Sequence, residues 1–159
     1  MTDAAGPGGA PVGGFPVATG HEPAGPPDAR RRRQVEAAYA ALLDIRRLVN
    51  ADVPEPLRLP APWEARQAVR AVALTLEAHG LQPSAVGPDG APAVTGYLVS
   101  APREGVVRVE WVGPRGSGAP HEAAAALKRC AAVLEEAGWT ALEYRDARGR
   151  RHVEVEPPA

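Results

Sequence analysis

Between residues 29 and 156 the apolar positions recur with two different periods, and the switches between them lay out the chain. Val35, Ala38, Leu42, Ile45 and Val49 are three or four residues apart, which lines one face of a helix. A helix is therefore predicted over 29–50, with Asp28 as its N-cap. Its stripe covers only about two heptads, short of the three or four that mark a coiled coil. It is expected to pack on the rest of the chain or on a second copy. Helical spacing returns in Ala65, Ala68, Val69, Val72 and Leu76, predicting a helix over 62–79, and again in Ala123, Ala126, Leu127, Cys130 and Leu134. Elsewhere the period falls to two. Val107, Val109 and Trp111 alternate with Arg108 and Glu110, and in His152-Val153-Glu154-Val155-Glu156 the valines take one face and the polar side chains the other. Further extended segments are predicted at 81–86, 94–100 and 139–145, with turns at Gly87-Pro88-Asp89-Gly90 and around Asp146–Gly149.

The two later helices carry the same punctuation. Pro62 and Pro120 open them at a position where the missing N–H costs nothing, Glu64 and Glu122 place negative charge in the first turn, and Gly80 and Gly138 supply a left-handed stop. With an offset of 58, nine of the 21 paired positions from 61 to 81 are identical. Duplication and convergence of two alanine-rich helices both account for this.

These elements predict an α+β fold. An antiparallel sheet of four or five strands is covered on one face by two helices, in the order α-β-β-β-α-β-β, with an N-terminal helical arm. Four regions are expected: a disordered Gly/Pro-rich head over 1–28, the amphipathic helix over 29–50, a proline-rich linker over 51–61 and the α+β domain over 62–159. The head has seven Gly, six Pro and a single aromatic, Phe15, too little apolar surface to offset the entropy of ordering it. Four prolines between residues 51 and 62 favour a stiff extended connection, so the first helix is expected to be separable.

Composition adds little. The net charge is −1, and all 18 Lys and Arg lie between Arg30 and Arg151. No stretch approaches the ~20 apolar residues of a membrane span, so no membrane partner is expected and cytoplasmic residence is the default. Cys130 is the single cysteine, which leaves no intrachain disulfide and no cysteine cluster for a metal.

Arg30, Arg31, Arg32 and Arg33 put four cations in a helix's first turns, against its dipole. Phosphate contacts would offset that cost, yet no aromatic platform, zinc motif or helix-turn-helix pattern accompanies the run. The closing hairpin adds Arg145, Arg148, Arg150 and Arg151, balanced by Glu143, Asp146, Glu154 and Glu156. Gly113-Pro114-Arg115-Gly116-Ser117-Gly118 joins a strand to a helix start, where phosphate loops sit, but it lacks the Lys-Ser/Thr ending, and Glu122 competes for the site. His152 falls on the polar face of the last strand, where Glu110 or Glu143 is expected near it as an acid–base partner. Cys130 falls on a buried stripe and reads as a small hydrophobe. Trp63 reads as a core residue or as an anchor for a partner. No metal, cofactor or nucleophile motif is found, so no cofactor is expected.

Pro62–Ala71, with Gly138-Trp139 and the Arg-rich hairpin, resembles short proteins of high-GC actinobacteria over about residues 30–158, a resemblance that implies no active site. The element order is similar to the secretion-chaperone-like fold, whose members commonly dimerise and bind partner chains. The expectation is a non-enzymatic protein-interaction or adaptor module, self-associating or bound to another protein. It would work through Arg30–Arg33, the stripe Val35, Leu42, Ile45 and Val49, and Trp63. Two alternatives stand beside it: nucleic-acid binding through Arg30–Arg33 and the hairpin, and a small enzyme on the polar sheet face around Glu110, Glu143 and His152.

Overall fold

A computed structural model describes residues 15–159. It is an α+β fold with helices Arg31–Val49 (α1), Pro62–Arg66 (α2), Ala68–Ala78 (α3) and Ala119–Glu136 (α4). Two short strands, Ala85–Val86 (β1) and Pro92–Val94 (β2), form a small hairpin. The main sheet has four antiparallel strands, Gly96–Arg103 (β3), Val106–Val112 (β4), Thr140–Arg145 (β5) and Arg151–Glu156 (β6), in the spatial order β3-β4-β6-β5. Tyr97, Val99, Val107, Val109, Ala141, Val153 and Val155 form the inner face, packed against Val72, Leu76, Leu127, Cys130 and Leu134 of α3 and α4. Among the described residues, the other sheet face carries no helix.

The strand order is palindromic. Each covering helix is followed by an antiparallel hairpin, and the second strands, β4 and β6, pair with each other. In that pairing Val107 faces Val155 and Val109 faces Val153, symmetrically about Arg108 and Glu154. The helix ends repeat as well. Leu81 N–H bonds to Leu76 O at 3.1 Å and Gly80 N–H to Glu77 O at 3.0 Å; Trp139 N–H bonds to Leu134 O at 2.9 Å and Gly138 N–H to Glu135 O at 3.0 Å. Both helices thus close with the same two-bond cap around a left-handed glycine. The chain is built as two α-β-β units about a pseudo-two-fold axis, with β1 and β2 inserted in the first.

The first helix, expected to be a separable arm, packs on the body. Val35, Ala38 and Leu42 of α1 pack against Leu74 on the outer side of α3, with Phe15, Tyr39, Ile45 and Trp63 around them. Burying Leu42 and Leu74 contributes about 1.5–3 kcal/mol each. This explains α3, whose residues Ala71 to Leu76 are all buried. A helix covered on two sides is apolar around most of its circumference. The stripe expected on it is shifted accordingly: Ala65 is exposed, and Ala71, Ala73 and Leu74 join the core.

A buried ion pair locks this arrangement. Arg46 and Glu64 are both fully buried. Arg46 donates from Nη2 to Glu64 Oε1 at 2.7 Å and from Nε to Oε2 at 2.8 Å, and Glu64 Oε2 also accepts Ala61 N–H at 2.9 Å. Arg46 Nη1 reaches Leu57 O and Ala137 O, each at 2.7 Å. One guanidinium therefore ties α1 to the proline-rich segment, to the first turn of α2 and to the C-terminal end of α4, where carbonyl dipoles favour a cation. Asn50 Nδ2 adds bonds to Pro56 O and Leu59 O. The segment expected to be a linker is instead pinned to the body, and it contains a short 3-10 turn at Pro56–Arg58.

Three boundaries also differ from expectation. Asp28 does not cap α1. Its Oδ1 accepts Arg30 N–H at 2.9 Å from two residues ahead of the N-cap position, and α1 begins after Arg30. The helix expected over 62–79 breaks at Gln67 (φ −124, ψ 53), so that α2 points Glu64 at Arg46 while α3 lies along the sheet. The expected disordered head is corrected only in part, because residues 1–14 lie outside the described residues. Residues 15–28 form a strap along the edge of β3. Thr19 O accepts Val99 N–H at 2.8 Å, Ala18 O accepts the Tyr97 hydroxyl at 2.9 Å, and the strap exchanges main-chain bonds with Val86 through Glu22 and Ala24. Gly20 (φ 103) crosses so close to Ser84 and Tyr97 O that no side chain fits. Composition missed this because the strap is held mainly by main-chain bonds, which Gly/Pro content does not weigh.

Glu64→Gln is expected to lower the unfolding free energy by about 3–5 kcal/mol in denaturant titration, because it leaves a buried charge without its counter-ion. Gly80 and Gly138 both have positive φ, but a Cβ at Gly138 would overlap the Arg58 carbonyl whereas one at Gly80 meets nothing. Gly80→Ala is expected to cost about 1–2 kcal/mol, and Gly138→Ala clearly more, with the proline-rich segment displaced in amide exchange.

Candidate functional site

Among the described residues, the face of the main sheet opposite α3 and α4 carries no helix and presents an ordered set of side chains. Side chains alternate along a strand, so the inner set fixes the outer one: Leu98 and Ser100 on β3, Arg108 and Glu110 on β4, His152 and Glu154 on β6, and Leu142 and Tyr144 on β5. Its centre is polar and cross-linked. Glu154 Oε2 lies 3.1 Å from His152 Nε2, Glu154 Oε1 accepts from Arg103 Nη2 at 3.3 Å, and Arg108 stands 4.0 Å away. The hydrogen bond with His152 holds the Glu154 carboxyl below the ordinary range; partial burial opposes this and Arg103 reinforces it. Tyr144 stacks on His152 with ring centroids 5.7 Å apart, and His152 is buried beneath it. Toward β5 the face turns apolar: Leu142 and Tyr144 are 52% and 44% exposed.

The two edges of the sheet are treated differently. The β3 edge is covered by the chain itself, through Thr19 and through the bonds of Tyr97 with Gln82 and Ser84. The β5 edge is open over most of its length. Ala141 N–H points outward, since it donates to Glu135 Oε2 at 2.8 Å instead of to β6. Antiparallel pairing alternates, so the main-chain groups of Glu143 and Arg145 point outward as well. Those of Leu142 and Tyr144 turn toward β6, in phase with the Asp146 N–H bond to Arg150 O at 2.9 Å. Among the described residues no main-chain partner meets Glu143 or Arg145 on that outer side.

The expected site residues are scattered. Arg31 is taken up by its own fold: it pairs with Glu77 at 2.7 Å, donates to Pro16 O at 3.0 Å and lies 4.8 Å over the Phe15 ring. Arg30, Arg32 and Arg33 are exposed, Arg32 with Glu36 at 3.4 Å. Val35 and Leu42 are buried, Ile45 is half-buried, and Val49, expected on the stripe, is exposed. The buried face of α1 runs on through Arg46 and Asn50, in four-residue steps from Leu42. Trp63 is half-buried and packs against both apolar clusters, which makes it a core-edge residue and removes it as a free anchor. The trio of Glu110, Glu143 and His152 is not assembled, because Glu143 is paired with Val153 and so faces the helix side, opposite to His152. A one-residue difference in register reverses every side chain, and spacing within one strand could not supply it.

The other candidates find structural partners. Burial pushes the Cys130 thiol up to about 12, against the weaker pull of Arg129, so it stays protonated at neutral pH. At the start of α4, Glu122 accepts the Trp111 indole N–H at 3.4 Å and bends back toward Gly118, over the turn where an anion would bind. A cleft of about 560 Å³ beside it is lined by Trp111, Arg115, Arg150 and Arg151. Among the described residues no group of three or more His, Cys, Asp or Glu could hold a metal ion, and no helix is long and apolar enough to cross a membrane. Comparison of the chain with protein-family models, curated proteins and solved structures finds no match in any of the three.

Because the folded Glu154 titrates below its ordinary 4.5, its stabilising effect is full above that pH and is lost as pH falls through the folded value. The stability difference between the native chain and Glu154→Gln, followed by urea unfolding, is therefore expected to be full at pH 7 and to shrink progressively as pH falls below 4.5 through the folded value.

Proposed function

We propose that this chain is a non-enzymatic protein-interaction module that presents the uncovered sheet face and the β5 edge to another polypeptide. The observation that carries this reading is the contrast between the two sheet edges. One edge is closed by a strap of the chain itself, while among the described residues the other leaves two outward N–H groups unsealed beside Leu142 and Tyr144, two of the four large apolar side chains that stand exposed there. An unpaired strand edge is a template for strand addition, and an aromatic and an aliphatic side chain next to it supply the apolar contact that such pairing needs.

This moves the working surface away from α1, whose stripe is spent on α3. Nucleic-acid binding has less support, since Arg31 is committed to Glu77 and Asp146 holds Arg150 at 2.9 Å. Chemistry on the sheet face also has less support: His152 has Glu154 beside it but lies under Tyr144, and Glu143 is on the far side.

The test is quantitative copurification from the native host, comparing the tagged native chain with Leu142→Arg/Tyr144→Glu. Both side chains are about half exposed, so the variant should keep the native fold by circular dichroism, with a melting temperature lowered by loss of the Tyr144 stack on His152. Loss of the captured chains, including untagged copies of the protein itself, is expected. Identical capture by the two proteins would reject the β5 surface.

A further inference from the structure

We infer that the polypeptide on the β5 edge is a second copy of this chain, paired antiparallel about a two-fold axis through Tyr144; this rests on the interaction-module reading above. The argument is one of register. A two-fold antiparallel pairing of β5 with itself must centre on a residue, because centring between residues would set an outward-facing residue against an inward-facing one and place opposite faces together. The available centres differ in charge. About Glu143, that carboxylate meets its own copy. About Arg145, two guanidinium groups meet. About Leu142, the pairing requires Ala141 N–H, which already bonds to Glu135.

Centring on Tyr144 sets Glu143 against Arg145 of the other copy, twice by symmetry. Both residues have the outward main-chain groups that the pairing uses, so each pair exchanges both of its bonds while joining opposite charges on the helix side of the sheet. On the uncovered side the two Tyr144 rings become neighbours, with Leu142 on the diagonal within reach of the other ring. This accounts for the exposure of Leu142 and Tyr144 in the single chain. It also accounts for the charges at the edge. Charged side chains on an edge strand normally discourage pairing. Opposite signs two residues apart turn that deterrent into attraction in one register and keep it in the others, which is how a surface selects its own copy. The product is a continuous sheet with both α4 helices on one face and both His152–Glu154 clusters on the other.

The experiment is sedimentation of the full chain from low to high micromolar concentration, with Glu143→Arg, Arg145→Glu, the double exchange Glu143→Arg/Arg145→Glu, and Glu143→Pro. Proline at Glu143 removes only an outward N–H, so the monomer should keep its fold; circular dichroism checks each variant. The native chain is expected to dimerise, each single exchange to weaken the dimer roughly tenfold, the double exchange to restore it, and Glu143→Pro to abolish it. A dimer indifferent to all four variants would overturn the inference, as would a chain that stays monomeric throughout. If the chain is monomeric while copurification of a different protein still depends on Leu142 and Tyr144, self-pairing fails and the module reading stands; if that capture is also indifferent, both fail.

Discussion

Everything distinctive about this fold passes through the Arg46 guanidinium. A buried ion pair gains little over a well-packed apolar pair, because desolvation of both ions offsets most of their attraction. What Arg46 supplies is uniqueness. Four of its N–H groups are used, on both oxygens of Glu64 and on the carbonyls of Leu57 and Ala137. These acceptors lie on three separate segments, and only one placement of α1, the proline-rich segment and α4 satisfies them together. Any other placement leaves a charge or a carbonyl buried without a partner, at several kcal/mol.

With α1 locked down, the remaining layers follow. α3 lies between the sheet and α1 and can therefore be apolar on nearly every side. The strap then crosses α3 and the β3 edge, and Arg31, at the start of α1, closes over it through Pro16, Phe15 and Glu77. The first α-β-β unit is thus wrapped by the N-terminal part of the chain, and the second is not. Two units that are equivalent in topology become unequal in exposure, and among the described residues the β5 edge beyond Ala141 is left without a main-chain partner.

The matched glutamates show how a repeat can diverge under such a constraint. Glu64 is drawn into the interior by Arg46, while Glu122 stays exposed, accepting the Trp111 indole N–H and bending back toward Gly118. The same residue, three positions after an alanine and two after a proline, serves in one unit as a buried counter-ion and in the other as a helix-end decoration. The difference lies in what packs against the first turn, since among the described residues α1 has no counterpart over α4.

Much of this was legible along the chain. Period two in Val107–Trp111 and in His152–Glu156 marked β4 and β6, because one buried face of a sheet imposes alternation. The Pro and Gly positions of the two later helices marked their ends, because few residues tolerate those backbone conformations. A signal for the docking of α1 was also present: the unbroken run Ala71-Val72-Ala73-Leu74 has no polar face to give to water, and Arg46 stands where the α1 stripe calls for an apolar residue. The local pattern therefore determined the elements, their caps and the α+β class, since these depend on neighbours a few residues apart. Which face Glu143 shares, which strand is left at the open edge and which buried charge Arg46 meets were decided by the tertiary structure. Pairing register and helix docking join residues tens of positions apart, and no local period encodes the offset between them.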